Sequence, residues 1–126
     1  MPAENNLTNL TVLLVEDDDG IRTIATILLE AEGHTVHAMA RGEEANEWLK
    51  NSAPDLLFTD VNMPGMGGIE LARKALSLHP QLRVLLTSGE GRPDPAWLAS
   101  GASYLTKPYD RRMLLAAIAA AVSSSA

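Results

Sequence analysis

The chain has 126 residues, 46% of them apolar, which suits one compact domain whose core needs no covalent staples. It contains no cysteine, so disulfides, thiolate metal sites and cysteine nucleophiles are excluded. A formal net charge of -6 argues against direct nucleic-acid binding, because an acidic surface repels a phosphate backbone.

Met1 to Leu10 lacks the basic-then-apolar order of a secretion signal. The longest apolar run, Met113 to Val122, is far shorter than the roughly 20 residues of a membrane span. The expectation is a cytoplasmic domain at residues 10–122, with tails at 1–9 and 123–126 and no membrane contact.

Val12 to Val15 is a continuous apolar run ending in Glu16 and Asp17, the pattern of a buried parallel strand. A helix opens at Asp18-Asp19-Gly20, carries Ile21, Ile24, Ala25, Leu28 and Leu29 at spacings of three and four, and stops at Gly33. Thr35 to Met39 reads as a weaker strand. Arg41 to Asn51 reads as a helix with Ala45, Trp48 and Leu49 inward. Leu56 to Thr59 is a third strand ending at Asp60, followed by a loop and a helix from Ile69 to Leu78 that Pro80 ends. Val84 to Leu86 leads as a fourth strand into Thr87-Ser88-Gly89. In the less regular stretch beyond, Asp94 can cap a helix with Pro95 at its first position. Ser103 to Thr106 is a fifth strand and Asp110 to Val122 a final helix. His34, His37 and His79 lack ligand spacing and read as surface or helix-end residues.

Alternation of this kind implies a parallel sheet covered on both faces by right-handed crossovers. Ligands bind such sheets at the carboxyl ends of the strands, near the point where strand order reverses. Those ends carry Glu16, Asp17, Asp60, Ser88 and Lys107. Each has an ordinary reading: Asp60 as a strand-end turn residue, Lys107 as a surface charge before Pro108, the acidic run as a helix cap. Together they make a chemical set. Clustered carboxylates raise one another's pKa values unless a cation intervenes, and an all-oxygen donor set suits magnesium. A carboxylate can attack phosphorus to form an acyl phosphate, with a lysine and a hydroxyl stabilising the transferred group.

Four segments carry a family resemblance: Val-Leu-Leu-Val-Glu-Asp-Asp from Val12, Thr-Asp-Val-Asn-Met-Pro-Gly-Met-Gly-Gly from Thr59, Thr-Ser-Gly from Thr87, and Tyr-Leu-Thr-Lys-Pro-Tyr from Tyr104. In content and order they resemble the receiver domains of two-component response regulators, over about Leu10 to Val122. The resemblance implies a flavodoxin-like, doubly wound five-stranded parallel sheet of order 2-1-3-4-5 with five helices, the fourth short or irregular. It implies Asp60 as phosphoacceptor, with magnesium held by Asp17, Asp60, the main-chain carbonyl of Asn62 and, through water, Glu16. Lys107 would pair with Asp60 and then with the phosphoryl group, and the Lys107-Pro108 bond would be cis. Ser88 would be the switch hydroxyl, with Thr87 its competitor, and Tyr104 the switch aromatic. Asn62 and Glu90 would tune hydrolysis.

A sensor histidine kinase or histidine phosphotransfer protein would be the donor and another protein the target, for a monomer or weak homodimer. The domain would accept the group on itself rather than turn over as an enzyme. The sequence departs from the family at Gly67, where Asp is frequent. The Ser88 to Lys107 stretch is also shorter by about one helical turn, as in receivers attached to hybrid kinases. A phosphoaspartate hydrolase of the haloacid dehalogenase type is the rival enzyme, although Asn62 stands where its second carboxylate belongs. A pseudo-receiver that binds without phosphorylation is the rival binding module.

Overall fold

The computed structural model describes residues 9–123. Its elements are β1 (Thr11–Val15), α1 (Asp19–Ala31), β2 (Thr35–Met39), α2 (Gly42–Leu49), β3 (Leu56–Asp60), α3 (Gly68–Leu78), β4 (Arg83–Ser88), a 3-10 turn (Pro95–Leu98), β5 (Ser103–Thr106) and α4 (Arg111–Ser123). The strands form one sheet in the order β2-β1-β3-β4-β5, with every pairing parallel. This is the doubly wound arrangement expected, and the strand order reverses between β1 and β3.

Side chains alternate across each strand, so neighbouring residues serve opposite faces. Leu13, Val15, Leu57 and Leu86 meet Ala45 and Leu49 of α2 and Leu71 and Ala75 of α3. Val12, Leu14, Leu56, Phe58 and Leu85 meet Ala25 and Leu29 of α1 and Leu114 and Ile118 of α4. Each large side chain withdrawn from water contributes about 1.5–3 kcal/mol. The central strands supply such residues on both faces, and that double burial presents their C-terminal residues along one edge.

The helices start where the chemistry allows. Asp18 Oδ1 accepts from the main-chain N–H of Ile21 at 2.9 Å, and Asp110 Oδ1 accepts from that of Met113 at 2.8 Å. Among the described residues, four α-helices stand where five were expected. The fourth connection holds one 3-10 turn, capped by Asp94 with Pro95 first, because Pro93, Pro95 and Gly101 leave little chain for a longer helix.

Other details differ from the sequence reading. β4 begins at Arg83 and keeps Thr87 and Ser88 within the strand, and α4 runs to Ser123. The expected tails otherwise lie in residues 1–8 and 124–126, outside the described residues. Ile24 belongs to the apolar stripe that the spacing predicts for α1 but is 60% exposed. Ala25 and Leu29 set the buried line, and Ile24 precedes Ala25 by one residue, a turn of about 100° around the helix. His34 is buried rather than on the surface, its Nδ1 accepting from the N–H of Leu10 at 3.2 Å. His37 packs on Trp48, and His79 bonds the carbonyl of Leu49.

Candidate functional site

Parallel pairing sets the site. β1 and β3 run side by side in register, Val15 opposite Thr59, so the next residues of both strands emerge together. Glu16 and Asp60 are buried there and Asp17 is exposed at the rim. One carboxylate oxygen from each of Glu16, Asp17 and Asp60 lies within 4.8 Å of the others, so the acidic residues far apart in sequence do converge.

Lys107 reaches them from the end of β5, two strands beyond β3. Its Nζ lies 2.8 Å from Glu16 Oε1 and 3.0 Å from Asp60 Oδ2. The Lys107-Pro108 peptide is cis, as the resemblance implied. Burial alone would lower the lysine pKa, but its hydrogen bonds to Glu16 and Asp60 and their charge raise it, so the ammonium stays charged. Glu16 is pushed up by burial, with Lys107 and the Asp18 N–H opposing the rise and Asp60 adding to it. Among neighbours, burial first and the Glu16 charge second push Tyr109 up to about 12, keeping its hydroxyl protonated.

Both oxygens of Asp60 are oriented. Oδ2 accepts from Lys107 and Oδ1 accepts from the Asn62 N–H at 3.1 Å. The side chain of Asn62 is exposed. Glu16 is equally committed, with Oε1 on Lys107 and Oε2 accepting from the Asp18 N–H at 3.1 Å.

The hydroxyls separate cleanly. Thr87 Oγ1 donates to the carbonyl of Leu105 at 2.7 Å, so it serves the β4–β5 junction. Ser88 Oγ lies 2.7 Å from the Tyr104 hydroxyl and accepts from the Glu90 N–H at 3.0 Å. Tyr104 donates its one proton to the Glu90 carbonyl, which leaves Ser88 as donor toward Tyr104. Glu90 therefore takes part through its backbone, and its side chain is exposed.

Two contributors were not read from the sequence. Arg22 donates from Nη1 to the Glu16 carbonyl at 2.8 Å and pairs through Nη2 with Asp19 at 2.6 Å, bracing the turn that carries Asp17. Its spacing of three from Asp19 was the available signal. Gly68 packs so closely on Asp60 that a Cβ there would overlap the Asp60 carbonyl.

The donor set fits a hard divalent cation. It is all oxygen, two of its carboxylates are buried, and Lys107 supplies only one positive charge against three negative ones.

Comparison with known proteins agrees with this geometry. The family model described as response regulator receiver domain matches residues 12–119. The chain is 38% identical over 112 residues to transcriptional regulatory protein AfsQ1 of Streptomyces coelicolor, covering 87% of this chain and 50% of that protein. It is 37% identical over 111 residues to transcriptional regulatory protein CreB of Escherichia coli K12, covering 86% and 48%. The chain thus spans about half the length of these curated relatives. Among solved structures, the CheY-like receiver domain protein of Methanospirillum hungatei JF-1 superposes with a TM-score of 0.84 at 29% identity, covering 92% of this chain and 95% of that one. Chemotaxis protein CheY4 of Vibrio cholerae gives 0.82 at 29% identity, covering 89% and 98%. With the acidic cluster, the lysine and the strand order all in place, the chain belongs to the response regulator receiver domain family.

Proposed function

We propose that Asp60 is the phosphoacceptor of this receiver domain, taking the group from a phosphohistidine on a sensor kinase or phosphotransfer protein, or from a small acyl phosphate. The observation that carries the reading is the Lys107 ammonium bonded to both Glu16 and Asp60 inside a cluster of three carboxylates.

An Asp60 oxygen attacks phosphorus, forming the acyl phosphate bond. The phosphorus–nitrogen or phosphorus–oxygen bond to the donor breaks, and its electron pair leaves with the imidazole or carboxylate. Lys107 stays charged and transfers its attraction from Asp60 Oδ2 to the phosphoryl oxygens. Asn62 N–H keeps the carboxylate aimed. Magnesium would be held by Asp17, Asp60 and the Asn62 carbonyl, and when bound would supply positive charge against the transferred oxygens. Glu16 has both oxygens engaged, which supports an outer role for it, through water.

Switching follows from one proton. Ser88 has a single O–H, which serves Tyr104 before transfer and the phosphoryl group after it. Tyr104 is already packed against Trp97, with ring centroids 6.3 Å apart, so loss of the Ser88 bond alters the face formed with the 3-10 turn. A downstream protein reads that change as a population shift.

A protein donor suits the surface beside the lysine. Ile24 is 60% exposed, and a groove of about 400 Å³ is lined by Ile21, Ile24, Gly89, Lys107, Pro108 and Tyr109. No helix among the described residues is long and apolar enough to cross a membrane. We place the domain in the cytoplasm, where a kinase donor acts, as a monomer or weak homodimer. The exposed side chains of Asn62 and Glu90 tune the hydrolysis that returns Asp60 to its free state.

Incubation with acetyl phosphate and magnesium, followed by intact-mass measurement, is expected to add one phosphoryl group to the chain and none to Asp60→Asn. Labelling of Asp60→Asn at the wild-type rate would overturn the assignment. For the tuning role, equal phosphate loss in wild type, Asn62→Ala and Glu90→Ala would remove it.

A further inference from the structure

The loop of residues 61–67 joins the acceptor strand to α3, and its ends are secured by its own backbone. Val61 N–H donates to the Thr87 carbonyl at 2.9 Å, Asn62 N–H to Asp60 Oδ1 at 3.1 Å, and Gly68 N–H to the Val61 carbonyl at 3.0 Å. The middle holds Pro64 and Gly65, the latter at φ 75°, in the left-handed region. That turn is supported from another element.

Glu43 lies in the first turn of α2, and its Oε2 accepts from the Met66 N–H at 2.9 Å across 23 residues of sequence. Gly42 sits against the same residue, where a Cβ would come 2.6 Å from the Met66 carbonyl oxygen. Both main-chain polar atoms of Met66 thus face the start of α2. Gly65 completes the fit, because a Cβ on it would collide with the Glu43 carboxylate. The Met66 N–H, foremost, holds the Glu43 carboxyl below its ordinary value, so the acceptor is ionised at neutral pH. Two glycines and one carboxylate form a socket for one backbone unit. The other end of that loop carries Asn62.

We propose that Glu43 is a positioning residue for the divalent-cation site, holding the loop through Met66 so that the Asn62 carbonyl is presented beside Asp60. The inference rests on the reading of that carbonyl as a ligand. Glu43 touches neither the cation nor the acceptor; it acts through the chain between Met66 and Asn62. A loop released at Met66 samples more conformations, and the cation must then order it on binding. A hydrogen-bond acceptor is what the role requires, so an amide oxygen at the same reach should serve as well as a carboxylate.

The test is calorimetric titration of the full chain with magnesium chloride in wild type, Glu43→Ala and Glu43→Gln. Loss of a supporting group of this kind weakens metal binding by about 10-fold, and that is expected for Glu43→Ala, with Glu43→Gln binding as wild type does. Without magnesium, the amide resonance of Met66 should move in Glu43→Ala and hold in Glu43→Gln. Urea midpoints should hold in Glu43→Gln and fall only slightly in Glu43→Ala, because the carboxylate that carries the bond is exposed. Wild-type affinity in Glu43→Ala overturns the inference alone. Equal weakening in both variants also overturns it, assigning the effect to charge rather than to the hydrogen bond. A wild type that takes up no magnesium overturns both this inference and the ligand reading beneath it.

Discussion

Two loops leave the same edge of the sheet from adjacent strands, β3 and β4, where Asp60 pairs with Thr87. The loop after β3 turns straight into α3 and is held at both ends and in its middle. The segment after β4, residues 89–102, exposes Gly89, Glu90, Gly91, Arg92 and Asp94 and forms one 3-10 turn. It is tethered through the Ser88 hydroxyl, the Tyr104 hydroxyl and the Asp94 cap. The difference matches two tasks. On the proposed function, a group that must meet phosphorus in line needs a placed backbone, whereas a surface that reports the result needs a low cost of rearrangement.

Glycine substitutions should show the contrast most strongly. A Cβ at Gly68 overlaps the Asp60 carbonyl, and backbone cannot swing aside as a side chain does, while Gly89 has open space around it. Gly68→Ala is expected to lose about 3 kcal/mol or more in urea unfolding, and Gly89→Ala to change by less than about 0.5 kcal/mol. Similar losses in the two variants would break the comparison. Next in size is chemistry at the carboxylate cluster beside the firm loop. Lys107→Ala removes the cation shared by Glu16 and Asp60, and the initial rate of labelling by acetyl phosphate should fall about 100-fold. A rate within experimental error of wild type would leave Lys107 a structural counter-ion only.

The loose segment gives the smaller effect. Tyr104→Phe removes the hydroxyl shared by Ser88 and the Glu90 carbonyl, which should cost about 1 kcal/mol. Amide exchange should quicken within residues 89–102 and remain unchanged in 61–67. Quickening in both loops would mean that they open as one unit.

The firm region is legible in the sequence and the loose one much less so, for a physical reason. Val12 to Val15 is apolar without interruption and ends directly at Glu16, and Leu56 to Phe58 is apolar up to Thr59, one residue before Asp60, so the apolar pattern locates both strand ends closely. The bond from Lys107 to Glu16 leaves no such trace. β1 and β5 are separated by two strands, and only the depth of the carboxylate and the reach of the lysine decide the contact. Thr87 and Ser88 are adjacent and chemically alike, and alternation across the strand sends one hydroxyl to the Leu105 carbonyl and the other to Tyr104. Glu43 gives no local signal, because its partner is a backbone N–H on a loop 23 residues away. Ile24 misleads because spacings of three and four continue around the flank of a helix beyond the stripe that is buried.

The His34 contact, remote from both loops, supplies a control for them and the smallest expected effect. His34 is buried, and its Nδ1 accepts from the Leu10 N–H, which requires that nitrogen to be unprotonated. Burial lowers its pKa from 6.5, with the Glu32 charge pulling the other way. Above 6.5 the imidazole is neutral in folded and unfolded chains alike, and its hydrogen bond contributes in full. As pH falls below that value, the unfolded chain takes up a proton that the folded chain refuses, so the stability contributed by neutral His34 is lost as pH falls through the folded pKa. Glu16, raised by burial, has the opposite sense: its stability contribution is present below 4.5 and lost as pH rises through the folded pKa. The difference between wild type and His34→Gln is therefore the quantity to follow, by urea midpoint from neutral to mildly acidic pH. It should shrink steadily on acidification. A difference that stays constant would mean that His34 takes up its proton equally in both states, and its buried Nδ1, the acceptor for the Leu10 N–H, would then contribute nothing to the pH response.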